Sequence, residues 1–355
     1  MVISLVLVFL LCLTLSFFEE RIRERDKIFI YILVGIAMIL IAGLREPGST
    51  PDSDGYEMML HGNTDEILEE ATEPSFSFIC SIINSLSLGV NALFLTYATI
   101  SIAIHLPILW KLSKDFSFTI LTVYISYYFM MHEMVQIRAG VAVGLFLWAI
   151  YFYVEKKQMA ALACILIGIL FHYSAAMGLV LFGLRNELPK WQKIVLYSII
   201  PIGIVVYFSN VDISFLIPDS LIGNKLTIYR EMRDKGLEDE LAGWPMERNL
   251  LIWMNFVLYY ACIYYHEYLS KYCKYVVIAI KLQAVGFCFL FFVHGFSSVL
   301  GNRMNDYFGI ATIILWTASV CAITPKFVSR IISNSISTLR FVTSMLLYAL
   351  SLLYL

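Results

Sequence analysis

Three arginines, Arg45, Arg138 and Arg303, stand where apolar runs begin or end, and they pose the chemical question. A guanidinium is planar, forked and permanently charged, so beside a bilayer it suits a carboxylate or a phosphate. Arg45 follows one apolar run and precedes Pro47-Gly48 and Asp52-Ser53-Asp54-Gly55-Tyr56. It serves either as an interfacial anchor or as an anion ligand. Asp52 and Asp54 sit on turn-forming text, where local hydrogen bonding or pairing to Arg45 competes with catalysis. Arg138, in His132-Glu133-Met134-Val135-Gln136-Ile137-Arg138, begins a helix. The free N–H groups and positive dipole end there already favour an anion, so a further cation calls for compensation. Either a bound anion or Glu133 supplies it. Arg303, in Gly301-Asn302-Arg303-Met304-Asn305-Asp306-Tyr307-Phe308, reads the same way, just before a helix start, with pairing to Asp306 as the alternative.

His172 lies in Phe171-His172-Tyr173-Ser174-Ala175, inside a long apolar stretch. An ionisable group at such depth is costly and marks a functional position by default; a satisfied core histidine is the plain alternative. An ordinary histidine pKa of roughly 6.5 suits a general base, or a donor to a phosphate oxygen. His105, ahead of Pro107, reads as a packing or kink position, and His294 as a weaker second base. No spacing of His, Cys, Asp and Glu matches a metal site, so no protein-bound metal is expected. The seven scattered cysteines read as small apolar packers.

The elements that hold these residues are membrane helices. The 355 residues are 60% hydrophobic, with a mean hydropathy of +0.77, more apolar surface than a soluble domain can hide. Apolar runs recur from end to end, many long enough to cross a hydrocarbon core of about 30 Å. The expected fold class is an all-α integral membrane protein, with 1–355 as a single polytopic domain. Ten transmembrane helices are placed at 2–18, 28–43, 91–110, 118–131, 138–154, 194–208, 249–265, 276–293, 305–322 and 337–355. An interfacial helix is expected over 76–88, and a re-entrant hairpin over 159–184 with His172 near its turn. The first run lacks a basic start and a small-residue cleavage site, so it reads as an uncleaved span. Placing both the N- and C-termini outside leaves 17 of the 25 Lys and Arg residues inside, as the positive-inside rule demands. The outside loops are then 44–90, with the acidic run Asp65 to Glu73, and 209–248, of mixed charge. Gly140 and Gly144 read as a face that lets another helix approach closely.

Taken in chain order, these motifs resemble a family. They are Arg45 with Asp52-Ser53-Asp54-Gly55-Tyr56, then Ile137-Arg138-Ala139-Gly140-Val141-Ala142, the Lys156-Lys157 turn, Phe171-His172-Tyr173-Ser174-Ala175, and Arg303 to Phe308. The set is similar to the EpsG-type branch of the Wzy polysaccharide polymerases, from about residue 40 to about 310. It departs at Ala139, where the family more often carries Gln. The resemblance implies a multi-pass protein of the bacterial inner membrane, a glycosyltransferase of O-antigen (lipopolysaccharide), capsule or exopolysaccharide biosynthesis. A growing glycan on undecaprenyl diphosphate would pass to the outermost sugar of a new lipid-linked repeat unit. Arg138, Arg303 and Arg45 would hold the diphosphate leaving group. His172 or Asp54 would be the base, with Asp52, Tyr56, Tyr307 and Asp306 in support. The partners implied are the lipid-linked oligosaccharide, the bilayer, and a chain-length regulator and flippase of the same pathway. No cofactor and no nucleic acid are implied. A glycan ligase, a lipid-linked oligosaccharide transporter and a membrane O-acyltransferase stay open as alternatives.

Overall fold

The computed structural model describes residues 1–62, 72–113, 115–209 and 245–351, and every described element is helical. The acidic residues Asp65 to Glu70, Lys114, the 210–244 part of the second long loop and the last four residues lie outside that description. In chain order the helices are α1 (Val2–Phe18), α2 (Glu24–Gly43), α3 (Ser53–Leu60), α4 (Pro74–Ser85), α5 (Val90–Ser113) and α6 (Ser117–Ile125). A π-helical segment, Phe129–Val135, leads into α7 (Ile137–Val154) and α8 (Gln158–Phe171), and a 3-10 helix covers Tyr173–Gly183. Then come α9 (Lys190–Ser209), α10 (Leu250–Tyr264), α11 (His266–Leu269), α12 (Val276–Phe292), α13 (Ser298–Gly309), α14 (Thr312–Ala322) and α15 (Lys326–Ser351).

Four of these, α2, α5, α7 and α9, are long and apolar enough to cross a membrane, and several others are apolar but shorter. Their outward faces carry bare hydrocarbon, such as Phe29, Ile32 and Ile36 on α2 and Ile194, Ile202 and Val205 on α9. Water would penalise such a surface, whereas lipid would not. The chain is an all-helical membrane protein.

Two compact units emerge, residues 1–179 with 316–355, and residues 180–315. In the first, α15 is built inside out. Ser329, Arg330, Ser333, Asn334, Ser337, Arg340 and Ser344 are buried, while Phe327, Ile331, Leu339, Val342 and Leu346 are exposed. It runs antiparallel to α1. Asn334 Nδ2 donates to Ser16 Oγ at 2.6 Å, and Phe9 stacks on Phe341 at 4.1 Å. At one end Glu19, 1% exposed, accepts from Phe118 N at 2.9 Å, Thr119 Oγ1 at 2.8 Å and Arg330 Nε at 3.1 Å. At the other, the Tyr348 hydroxyl donates to the Ser49 carbonyl, and Thr50 Oγ1 donates to the Met134 carbonyl at 3.2 Å. The loop after Arg45 and the approach to Arg138 therefore share one end of this unit.

Removing one partner of a buried ion pair strands the other, at a cost of about 3–5 kcal/mol. Arg330→Ala should accordingly lower the thermal unfolding temperature in detergent. Adding Glu19→Gln, which discharges the stranded carboxylate, should recover most of the drop. No drop for the single variant would mean that the pair is open to water.

In the second unit α9 lies against α12, where Gly203 faces the Phe291 ring so closely that any Cβ would overlap it. Phe256 of α10 meets Phe287 and Phe291 at 4.9 and 5.7 Å. Lys281 Nζ donates to the carbonyls of Arg185 and Glu187, both at 2.7 Å.

Three expected spans are corrected. The 118–131 span is not one helix: α6 stops at Ile125, and the π-helical segment follows, its wider turn carrying His132 and Glu133 into the interior. The 305–322 span is two helices parted at Ile310 and Ala311, and the first begins early because Ser297 accepts from Leu300 N at 3.2 Å as its N-cap. The 337–355 span starts already at Lys326, since Ser329, Arg330, Ser333 and Asn334 are buried rather than solvated. Over 159–184, α8 gives way at His172, held extended, to the 3-10 helix.

Candidate functional site

Glu73 begins α4. It occupies the N-cap position before Pro74, whose fixed φ and missing N–H suit the first helical turn. Glutamate is a poor N-cap, and its side chain bonds none of the free N–H groups of α4. The carboxylate reaches instead across the sequence. Oε2 accepts from Arg138 Nη1 at 2.6 Å. Oε1 lies 3.0 Å from His172 Nδ1 and accepts from Tyr173 N at 3.3 Å. The Glu73 side chain is 1% exposed, against 17% for Arg138 and 20% for His172. A buried carboxylate thus joins a cation and an imidazole at the rim of solvent.

Each partner is placed by its own element. Arg138 stands in the first turn of α7, where its charge opposes the helix dipole, so Glu73 supplies the compensation. Glu133, the alternative partner, is engaged elsewhere, with His105 at 3.2 Å. His172 ends α8, its N–H bonded to the Gly168 carbonyl at 2.9 Å. Aromatic rings pack around Arg138. Arg138 lies 5.5 Å from the Tyr56 ring and 5.0 Å from Phe76, and Tyr97 bridges Phe76 and Phe171 at 6.1 and 6.3 Å. In the tautomer that donates from Nδ1 to this carboxylate, Nε2 is the basic nitrogen. A carboxylate-oriented imidazole beside a guanidinium can take a proton and stabilise a developing anion.

Arg45 follows directly after α2 and is 1% exposed. Its Nη1 donates to the Ala42 carbonyl at 2.5 Å, capping the helix end, and its guanidinium lies 3.6 Å from the Phe94 ring centre. Nε and Nη2 have no hydrogen-bond partner among the described residues. Burial draws its pKa down to about 10, with Tyr56 and Tyr348 opposing, so it stays charged at neutral pH. Asp52 takes the N-cap position of α3 without a capping bond, Asp54 is exposed in the first turn, and Tyr56 is buried. Arg303 is corrected: it lies midway along α13 rather than before a helix start, because the Ser297 cap sets the start five residues upstream. Asp306 follows one turn later and Tyr307 is buried, both in the second unit with Arg303.

The structure brings together Arg138, His172 and Tyr56, and it adds Glu73, which reads from the sequence only as the last member of an acidic run. The available signal is a glutamate fixed directly before Pro74, a position that rarely selects glutamate for capping.

A family model described as the EpsG family matches residues 27–355. Neither a curated protein nor a solved structure matches the chain.

Proposed function

Since the chain belongs to the EpsG family of Wzy-like polysaccharide polymerases, we propose that it polymerises oligosaccharide repeat units carried on undecaprenyl diphosphate, at the outer face of the bacterial inner membrane. The observation that carries this reading is the Glu73 carboxylate, bonded at once to Arg138 and His172. In the reaction the acceptor hydroxyl oxygen attacks the anomeric carbon of the donor sugar. The bond from that carbon to the diphosphate oxygen breaks, and its electron pair leaves with the diphosphate. The hydroxyl proton passes to His172 Nε2, with Glu73 steadying the imidazolium that forms. Arg138 neutralises the leaving group; Arg45, in the same unit, is a further cation for it. Aspartate 54, exposed on α3, is the alternative base. The excess of Lys and Arg in the segments read as inside supports an outer-face site.

Feeding purified protein a synthetic diphosphate-linked repeat unit tests this directly. A ladder of longer lipid-linked products is expected. Single transfer to a different acceptor would point to a ligase, acylated product without elongation to an acyltransferase, and unchanged substrate moved across a vesicle wall to a transporter.

A further inference from the structure

Two segments of the second unit, 185–193 and 264–275, meet at one end of it, and the proposed reaction uses neither. Asn186 Nδ2 donates to the Lys274 carbonyl at 3.0 Å, and Lys193 Nζ donates to Glu267 Oε1 at 3.1 Å. From α12, Lys281 Nζ holds the carbonyls of Arg185 and Glu187. Farther along, the Tyr259 and Tyr260 hydroxyls of α10 donate to the Leu196 and Tyr197 carbonyls of α9, both at 3.1 Å. Pairs 74 and 88 positions apart in sequence thus fix one continuous surface.

That surface is basic and aromatic at once. Arg185, Lys190, Lys193, Lys271 and Lys274 stand against Glu187 and Glu267, and Glu267 is already paired with Lys193. Arg185, Lys190, Lys271 and Lys274 are exposed. Lys190 and Lys193 open α9, Lys274 precedes α12, and neither helix has an acidic residue in its first turn. The helix dipoles therefore add to the positive surplus instead of offsetting it. Among the cations stand bare rings: Trp191 is 63% exposed and Tyr264 72%, with Tyr265 and Tyr268 exposed nearby. Beyond Trp191 the surface continues along α9 as exposed Ile194, Val195, Ile202 and Val205.

A cation surplus joined to bare hydrocarbon calls for an amphipathic counter-ion. A small anion would answer the charge and leave Trp191 and Ile194 uncovered. A neutral lipid would cover the hydrocarbon and leave the lysines without an anion. An anionic phospholipid does both, since its phosphate meets the basic residues at headgroup level while tryptophan and tyrosine rings bridge to the acyl region.

We propose that this end of the second unit binds an anionic phospholipid, its phosphate among the cations of the two segments and an acyl chain along α9 past Trp191 and Ile194. The site is independent of the polymerase reading, because its test measures no turnover. The full chain in detergent is given phosphatidylglycerol, phosphatidylcholine with the same acyl chains, or inorganic phosphate, and its thermal unfolding is followed. Saturating phosphatidylglycerol should raise the midpoint by about 3 °C, and the other two by much less. Lys190→Gln, Lys271→Gln and Lys274→Gln combined should lose most of that rise. Lys156→Gln with Lys157→Gln, which removes two exposed cations of the first unit, should keep it. If the triple variant does not fold, Lys274→Gln alone should still lose part of the rise. Four results would overturn the proposal: no rise with phosphatidylglycerol, an equal rise with phosphatidylcholine, an equal rise with phosphate, or equal losses in the two sets of lysine variants. The second would mean hydrocarbon contact alone, the third a plain anion site, and the fourth bulk charge instead of a local surface.

Discussion

Glu73→Gln should remove most of the polymer ladder while leaving the protein folded. The amide keeps the length of the side chain and an oxygen that can still accept from Arg138 or from His172 Nδ1. It loses the charge, and its NH2 group can donate to Nδ1, which moves the imidazole proton to Nε2 and spoils the base. Disrupting the acid that orients a catalytic histidine costs about 10²–10⁴ in turnover where the histidine is essential. Glu73→Asp restores the charge at a shorter reach and should recover part of the rate. Purified variants given a diphosphate-linked repeat unit, with thermal unfolding as a control for folding, measure this. If Glu73→Gln runs a wild-type ladder, His172 is not the base that Glu73 orients, and Asp54 becomes the base to test.

The apolar runs make most helices legible because hydropathy is a local property. The expected spans at 2–18, 138–154 and 276–293 fall on α1, α7 and α12 within a residue or so. Polar helices defeat the same reasoning. Arg330 and Asn334 lower the apolar average of α15, and partners some three hundred residues away in sequence, Glu19 and Ser16, help make their burial tolerable. Composition carries no trace of a π-turn either, so the break after Ile125 is invisible in the text of 118–131. Arg138 and His172 stand out from the sequence because each is costly where it sits. Glu73 does not. A carboxylate in an acidic loop is solvated by default, and its contacts to Arg138 and His172 span 65 and 99 residues. Pairing at that range leaves no local signature. His105 is hidden for a different reason: the nearby Pro107 already accounts for a special residue there, whereas its partner Glu133 lies on another helical segment.

A double-mutant cycle between Arg138 and Glu73 decides what the guanidinium is for. Arg138→Ala strands a carboxylate that is 1% exposed, so stability should fall by about 3–5 kcal/mol along with activity. Taken alone, that result would be ambiguous, because an enzyme that unfolds makes no polymer. Adding Glu73→Ala removes the stranded charge and should return much of the lost stability, a coupling that only residues in direct contact display. Activity is the discriminating readout. If Arg138 serves merely to neutralise Glu73, the double variant should elongate as well as Glu73→Ala does. If it stabilises the departing diphosphate, the double variant should stay a further 10²–10³-fold slower, roughly the loss that follows removal of one preorganised donor to a developing anion. Arg138→Lys should fall between, since an ammonium keeps the charge but cannot offer the guanidinium's forked donors to Glu73 and phosphate at once. The expected outcome is restored stability without restored elongation, because a guanidinium has five N–H groups and the Glu73 contact at 2.6 Å involves one nitrogen.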